Sequence, residues 1–142
     1  MGVINTGKVV TGGLLGGLVM NVIDYVSNNY LLMDDWTAMA SARNIDPARA
    51  QSVHSIGSLI ASDFLMGILL VWTYAAMRPR FGPGPKTALY AWFTLFMAVT
   101  VVLGPFVPLG LFSFGIFVRA TAAALVSTVA AALVGAWAYK EA

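Results

Sequence analysis

Two aspartates sit inside long apolar runs of this chain, and they are the residues best suited to chemistry. Asp24 falls within Val9 to Leu32, and Asp63 within Val53 to Met77. A carboxylate in such surroundings must gather hydrogen-bond donors, share a proton or hold a cation, because an unpaired charge is costly outside water. The nearest donors in sequence are Asn21 and Asn28 around Asp24, and Ser58 and Ser62 around Asp63. Counted along ideal helices from one end of a bundle, Asp24 lies about 24 Å up and Asp63 about 21 Å up. Side chains lean toward the N-terminus of their own helix, and the two helices run oppositely. The expectation is therefore two carboxylates at nearly one depth, serving as a proton or cation site or as a structural set that fixes helix register. The structural role is the simpler of the two.

Other candidates are fewer. Arg119 is the cation able to neutralise the pair, yet it lies about 29 Å up its own helix and leans outward. That favours snorkelling to the interface over reaching down. His54 stands near the outer start of the second run and could ligate a haem or a chlorophyll-type pigment. A solvated imidazole explains it more simply, and an ideal helix points it away from Asp63. The chain has no cysteine, which removes disulfides, thiolate metal sites and a thiol nucleophile. No glycine-rich phosphate loop, metal-ligand cluster or nucleophile–base spacing occurs. The expectation is a protein that is not an enzyme and carries no metal and no cofactor.

The elements that must position these residues are set by composition. The 142-residue chain is 59% hydrophobic and 10% charged, against about 25% charged in soluble domains. A bilayer core of roughly 30 Å needs about 20 apolar residues per helix. Such runs span Val9 to Leu32, Val53 to Met77, Thr87 to Leu109 and Leu111 to Tyr139, giving an all-α bundle of four membrane-spanning helices. A soluble helical core would need charged outer faces that these runs lack. The first run is too long for a signal peptide, contains Asp24, and lacks a small-residue cleavage site. Threaded alternately, the chain puts Lys8, Arg78, Arg80, Lys86 and Lys140 on one side. Arg43 and Arg49 fall on the other, with Asp34, Asp35 and Asp46. The bias places both termini and the 78–86 loop in the cytoplasm, and the 33–52 loop outside. The net charge of +2 is a topology signal and gives no reason to expect nucleic acid.

Connections and faces follow. In the outer loop, Asp34 or Asp35 can cap a short helix carrying Trp36 and Met39. Asp46-Pro47 reads as the N-cap and first residue of a second helix that continues to Met77. The 78–86 loop, with three prolines and two glycines, reads as non-helical. Its Arg78, Arg80 and Lys86 suit anionic lipid headgroups. Gly104-Pro105 and Pro108 should kink or unwind the outer end of the third span. Gly12, Gly13, Gly16 and Gly17 form small-residue pairs that admit close helix approach. The face Gly13, Gly17, Asn21, Asp24, Asn28 is expected to meet the small face Ala124, Thr128, Ala131, Gly135 of the fourth span, within one chain or between copies. Trp72, Tyr74, Trp92, Trp137 and Tyr139 read as core or interfacial anchors.

The segment Trp72-Thr73-Tyr74-Ala75-Ala76-Met77-Arg78-Pro79-Arg80-Phe81-Gly82-Pro83-Gly84-Pro85-Lys86-Thr87-Ala88 resembles an uncharacterised family of small bacterial four-helix membrane proteins. The glycine-rich first helix ending in Asn21 and Asp24 is similar, as is the closing Gly135-Ala136-Trp137-Ala138-Tyr139-Lys140-Glu141. The resemblance implies four spans and a bacterial inner membrane, and it implies no activity. Three functions stay open. The first is a non-catalytic accessory or structural subunit that packs against other membrane subunits or its own copies. The second is a proton- or cation-coupled small transporter using Asp24 or Asp63. The third is a pigment- or haem-binding protein through His54.

Overall fold

A computed structural model describes residues 4–139. Lys140, counted above among the basic residues, and Glu141 lie outside them. The described chain is all helical. Helix α1 covers Thr6–Val26 and runs on through a π-helical turn at Ser27–Leu31; α2 is Met33–Ser41 and α3 is Pro47–Ala50. Helix α4 is Val53–Phe81, α5 is Pro85–Leu103 with a 3₁₀ turn at Gly104–Phe106, and α6 is Phe114–Ala138. Four of these, α1 with its π turn, α4, α5 and α6, are long and apolar enough to cross a membrane.

Three of the four long helices begin where a side chain supplies an acceptor for their orphan backbone N–H donors. Asn5 Oδ1 accepts from Lys8 N at 3.0 Å, Ser52 Oγ from Ser55 N at 3.2 Å, and Ser113 Oγ from Ile116 N at 3.2 Å. Helix α5 starts with Pro85 at its first position, where the missing N–H has no intrahelical partner to lose. Beyond Asp24, Asn28 and Asn29 donate their side-chain amides to the carbonyls of Asp24 and Tyr25, each at 2.8 Å. Those amides compete for the helical carbonyls, and the backbone widens there, Leu32 N reaching Ser27 O at 2.9 Å.

Three boundaries differ from the sequence reading. The 78–86 stretch is not one loop: α4 continues through Pro79 to Phe81, and only residues 82–84 separate it from α5. A proline three residues from a helix end removes a single backbone bond, and Gly82 N closes the last turn on Arg78 O at 2.9 Å. Gly82 and Gly84, at φ +81° and +127°, then make the turn. Neither Asp34 nor Asp35 caps α2, which starts a residue earlier at Met33, so both fall in its first turn, where they favour the positive helix end. Asp46 does accept from Ala48 N at 2.9 Å. The helix it starts ends at Ala50, and Ser52 caps α4 separately. The C-terminal end of α5 breaks from α-helix into a 3₁₀ turn at Gly104–Phe106, where the glycine and Pro105 lie.

Helix α1 is the centre of the bundle. It packs against α4 on one side and α6 on the other, and α5 closes the bundle against α4 and α6. The glycines make this possible in a way the sequence reading had assigned to the wrong neighbour. Gly13 and Gly17 meet α4, not the fourth span: a methyl on Gly13 would stand 2.5 Å from Ile68 Cα, and one on Gly17 2.6 Å from Phe64 Cα. Gly67 of α4 faces Gly13 and Gly17 in return. The other pair, Gly12 and Gly16, meets α6, where added methyls would lie 2.7 Å from Gly135 O and 2.8 Å from Ala131 O. Two glycine pairs one residue apart present faces about 100° apart, so a single helix can hold two neighbours backbone to backbone.

The Pro79 end is tied by aromatic residues. Tyr74 and Tyr139 are buried and pack edge to face with centroids 6.0 Å apart; their hydroxyls accept from Gly84 N at 3.1 Å and Asn5 N at 3.3 Å. Away from these seams, large apolar side chains such as Leu59, Val101 and Val126 are exposed. A surface so apolar fits hydrocarbon and not water.

Candidate functional site

The structure draws Asp24, Asp63, Asn21 and Ser127 together where α1, α4 and α6 meet. Helices α1 and α4 run antiparallel in a fixed register. Gly13 meets Ile68, Gly17 meets Phe64, and the Asn21 amide reaches Ile60 O at 3.4 Å while also donating to Gly17 O at 2.9 Å. Each step of four up α1 is a step of four down α4. By that register Asp24 lies level with Gly57, and Asp63 with Leu18, an axial offset of about 9 Å at ~1.5 Å per residue.

The expectation of one shared depth is therefore corrected. It took the start of α1 and the end of α4 to be flush at the Pro79 end, whereas Thr6 lies level with Ala75 and the last turns of α4 project beyond α1. Asp24 sits nearer the α2 end, and Asp63 nearer the middle. Because each side chain leans toward its own helix N-terminus, the two lean into the gap between them. Both are half-buried.

The third contributor is Ser127. It is fully buried on the face of α6 that meets α1, and its hydroxyl donates to Ala124 O at 3.3 Å. Sequence reading missed it in favour of Thr128. The signal was present: Gly135, Ala131 and Ser127 are spaced by four, and the first two oppose Gly12 and Gly16. Extending that seam one turn toward the α2 end brings Ser127 to α1 near Asp24. Thr128 instead faces α5, where it accepts from Trp92 Nε1 at 2.9 Å. Ala124 lines a cavity between α4, α5 and α6.

The remaining predicted residues lie elsewhere. Arg119 turns outward and pairs with Asp35 of α2, and no salt bridge among the described residues reaches Asp24 or Asp63. Asn28 accepts from Trp36 Nε1 at 2.9 Å and so docks α2 onto the end of α1. Ser58 and Ser62 are exposed and donate back to the carbonyls of Ser55 and Ser58 at 2.7 and 2.8 Å. Such back-bonding satisfies a hydroxyl without any outside partner. His54 is exposed on the first turn of α4.

At the other end, Arg80 and Lys86 are exposed, whereas half-buried Arg78 stacks 5.7 Å from the Tyr139 ring. Arg43, read only as a topology charge, clasps the turn between α5 and α6. Its guanidinium donates to Gly110 O at 2.9 Å and to Leu111 O, and to Met39 O at 3.3 Å.

Among the described residues, no three His, Cys, Asp or Glu side chains converge as a metal set. The arrangement offers two acceptor carboxylates, one amide and one hydroxyl, with no fixed countercharge. Chemically, either carboxylate can take up a proton or accept a small cation. Comparison of the chain with protein-family models, curated proteins and solved structures gave no match.

Proposed function

We propose that this chain is a small integral membrane protein acting as a non-catalytic subunit, packed within a larger membrane assembly or against its own copies. The observation that carries this reading is the first third of α4. From Val53 to Ser62 the helix stands almost clear of the bundle, with Val53 90% and Leu59 66% exposed, and with Gly57, Ser58, Ala61 and Ser62 uncovered. Small and hydroxyl-bearing residues are poor lipid ligands and good helix-contact residues, so a second helix suits this surface better than acyl chains do. The charge distribution supports a cytoplasmic Pro79 end, and the resemblance of the 72–88 segment supports a bacterial inner membrane.

The test is the native mass of the gently solubilised protein, with co-purifying chains identified. The reading expects a species heavier than one 15.0 kDa chain, and cysteines placed between Val53 and Ser62 should cross-link to a partner. A lone monomer in both mild detergent and lipid nanodiscs overturns it.

A second reading rests on a separate observation, the unneutralised Asp24–Asp63 pair with Asn21 and Ser127. In this reading the pair couples a proton or cation to transport, and four helices form thin walls that an oligomer would complete. Asp24→Asn and Asp63→Asn separate the two readings: a subunit keeps its assembly, whereas a transporter loses coupled flux in vesicles.

A further inference from the structure

A cavity of about 220 Å³ lies between α4, α5 and α6, toward the end of the bundle that carries α2. The Trp92–Thr128 hydrogen bond sets α5 antiparallel to α6, so that Phe96 lies level with Ala124, Thr100 with Ala120 and Leu103 with Phe117. All of these residues line the cavity. It is therefore a slot that follows the helices from Trp92 to Leu103, about 16 Å at ~1.5 Å per residue. Opposite Phe96 and Thr100 stand alanines, whose small volume leaves the space open. Trp36 of α2 and Phe112 line the α2 end.

The polar groups of the wall are engaged with one another or with backbone. Trp92 Nε1 donates to Thr128, Thr128 and Thr100 donate to the carbonyls of Ala124 and Phe96, and Trp36 Nε1 donates to Asn28. Thr121 brings the one wall hydroxyl without a hydrogen bond among the described residues, and a buried water needs about two to four polar partners. Water is therefore a poor occupant. Apolar cavities of about 150 Å³ stay dry and accept a benzene-sized molecule, but a single ring would leave part of this length empty. A partner's helix, about 10–12 Å across, is too thick to enter. An extended hydrocarbon chain suits both the width and the length. Val99 and Leu103 line the slot and are exposed, which gives such a chain a way in from the side.

We propose that this slot holds one acyl chain of a membrane phospholipid. A hydrocarbon core of roughly 30 Å gives each leaflet about 15 Å, close to the span of the slot. Its position agrees. The slot begins at the α2 end, where the turn between α5 and α6 leaves the apolar helices, and reaches Trp92, just past the middle of the 85–106 span. A chain entering at one membrane boundary thus ends near mid-bilayer. No charged side chain lines the slot, so the chain is recognised and the headgroup is not. The site assumes a membrane location and needs no protein partner, so it stands or falls apart from the subunit reading.

The test uses the full chain in phosphatidylglycerol nanodiscs with two photoreactive probes of that lipid. One carries a diazirine near the carboxyl end of an acyl chain, and the other carries it near the methyl end. The first is expected to label Leu103 and Phe117 within the slot, and the second Phe96 and Ala124. Ala120→Leu blocks the slot midway, so label on Phe96 and Ala124 should be lost while label on exposed Val126 persists. Should that variant not fold, the order of labelling in the unaltered protein decides the matter alone. The proposal is overturned if Phe96 and Ala124 take no label, if both probes label the same slot residues, or if label on Phe96 and Ala124 survives Ala120→Leu.

Discussion

Adding one methyl at Gly13 should loosen the bundle at its centre, and the same methyl at Gly57 should not. At Gly13 the new carbon would stand 2.5 Å from Ile68 Cα and 2.9 Å from Ile68 N. Unstrained carbon contacts lie near ~3.5–4.0 Å, so α1 and α4 must part by about 1 Å. The obstacle is backbone and cannot swing aside, which puts the strain near the top of the ~1–3 kcal/mol seen for overpacking. Alanine recovers ~0.8–1.0 kcal/mol of helix propensity over glycine, leaving a net loss of about 2 kcal/mol. Gly57 has nothing within 4 Å of its notional Cβ, so Gly57→Ala keeps only the propensity gain of about 1 kcal/mol. The two variants should thus differ by about 3 kcal/mol, roughly a hundredfold in the unfolding equilibrium. Titration of the micelle-solubilised protein with a denaturing detergent, followed by tryptophan fluorescence, measures this directly. If Gly13→Ala unfolds at the same point as Gly57→Ala, or later, the backbone contact between α1 and α4 is not the seam described here.

Two further perturbations probe polar contacts that hold the periphery. Trp92→Phe keeps the ring and removes the donor to Thr128 Oγ1; it should cost about 0.5–1.5 kcal/mol, and Thr128→Val in the same background should add little, as a double-mutant cycle would show. Arg43→Ala withdraws the guanidinium from the Gly110 and Leu111 carbonyls. Limited proteolysis or hydrogen exchange should then find the 104–113 segment opening at least several-fold faster, with α1 and α4 protected as before.

Much of the fold was legible because apolar runs long enough to cross a membrane restrict the choices. Four apolar runs of sufficient length leave four helices as the economical arrangement, and side-chain oxygens at Asn5, Ser52 and Ser113 mark three of the starts. What misled was proline. Pro79 lies in a run of prolines and glycines that reads as loop, yet position three from a helix end is where a proline does least harm. Pro47 reads as the start of a long helix and yields one turn, because Ser52 offers a better cap five residues later. Helical periodicity cannot decide between two such starts; the capping geometry can.

The site was legible in part, and the division has one cause. Residue type identified Asp24, Asp63 and Asn21, since polar groups inside apolar runs stand out. Which of their neighbours join them depends on register, and register is set by the glycine contacts. Gly13 and Gly17 fix α4 so that Asp63 lies about 9 Å from the level of Asp24. Gly12 and Gly16 fix α6 so that Ser127, not Thr128, completes the cluster. Had the fourth span met the Gly13 face, Thr128 would have been the partner, and Arg119, nine residues and about 180° away on the same helix, would still have faced elsewhere. Arg119 has Asp35, a partner at the end of the bundle that needs no desolvation of a lone charge. The carboxylates are left to one another by the same rotation of α1 that lets it hold two helices at once.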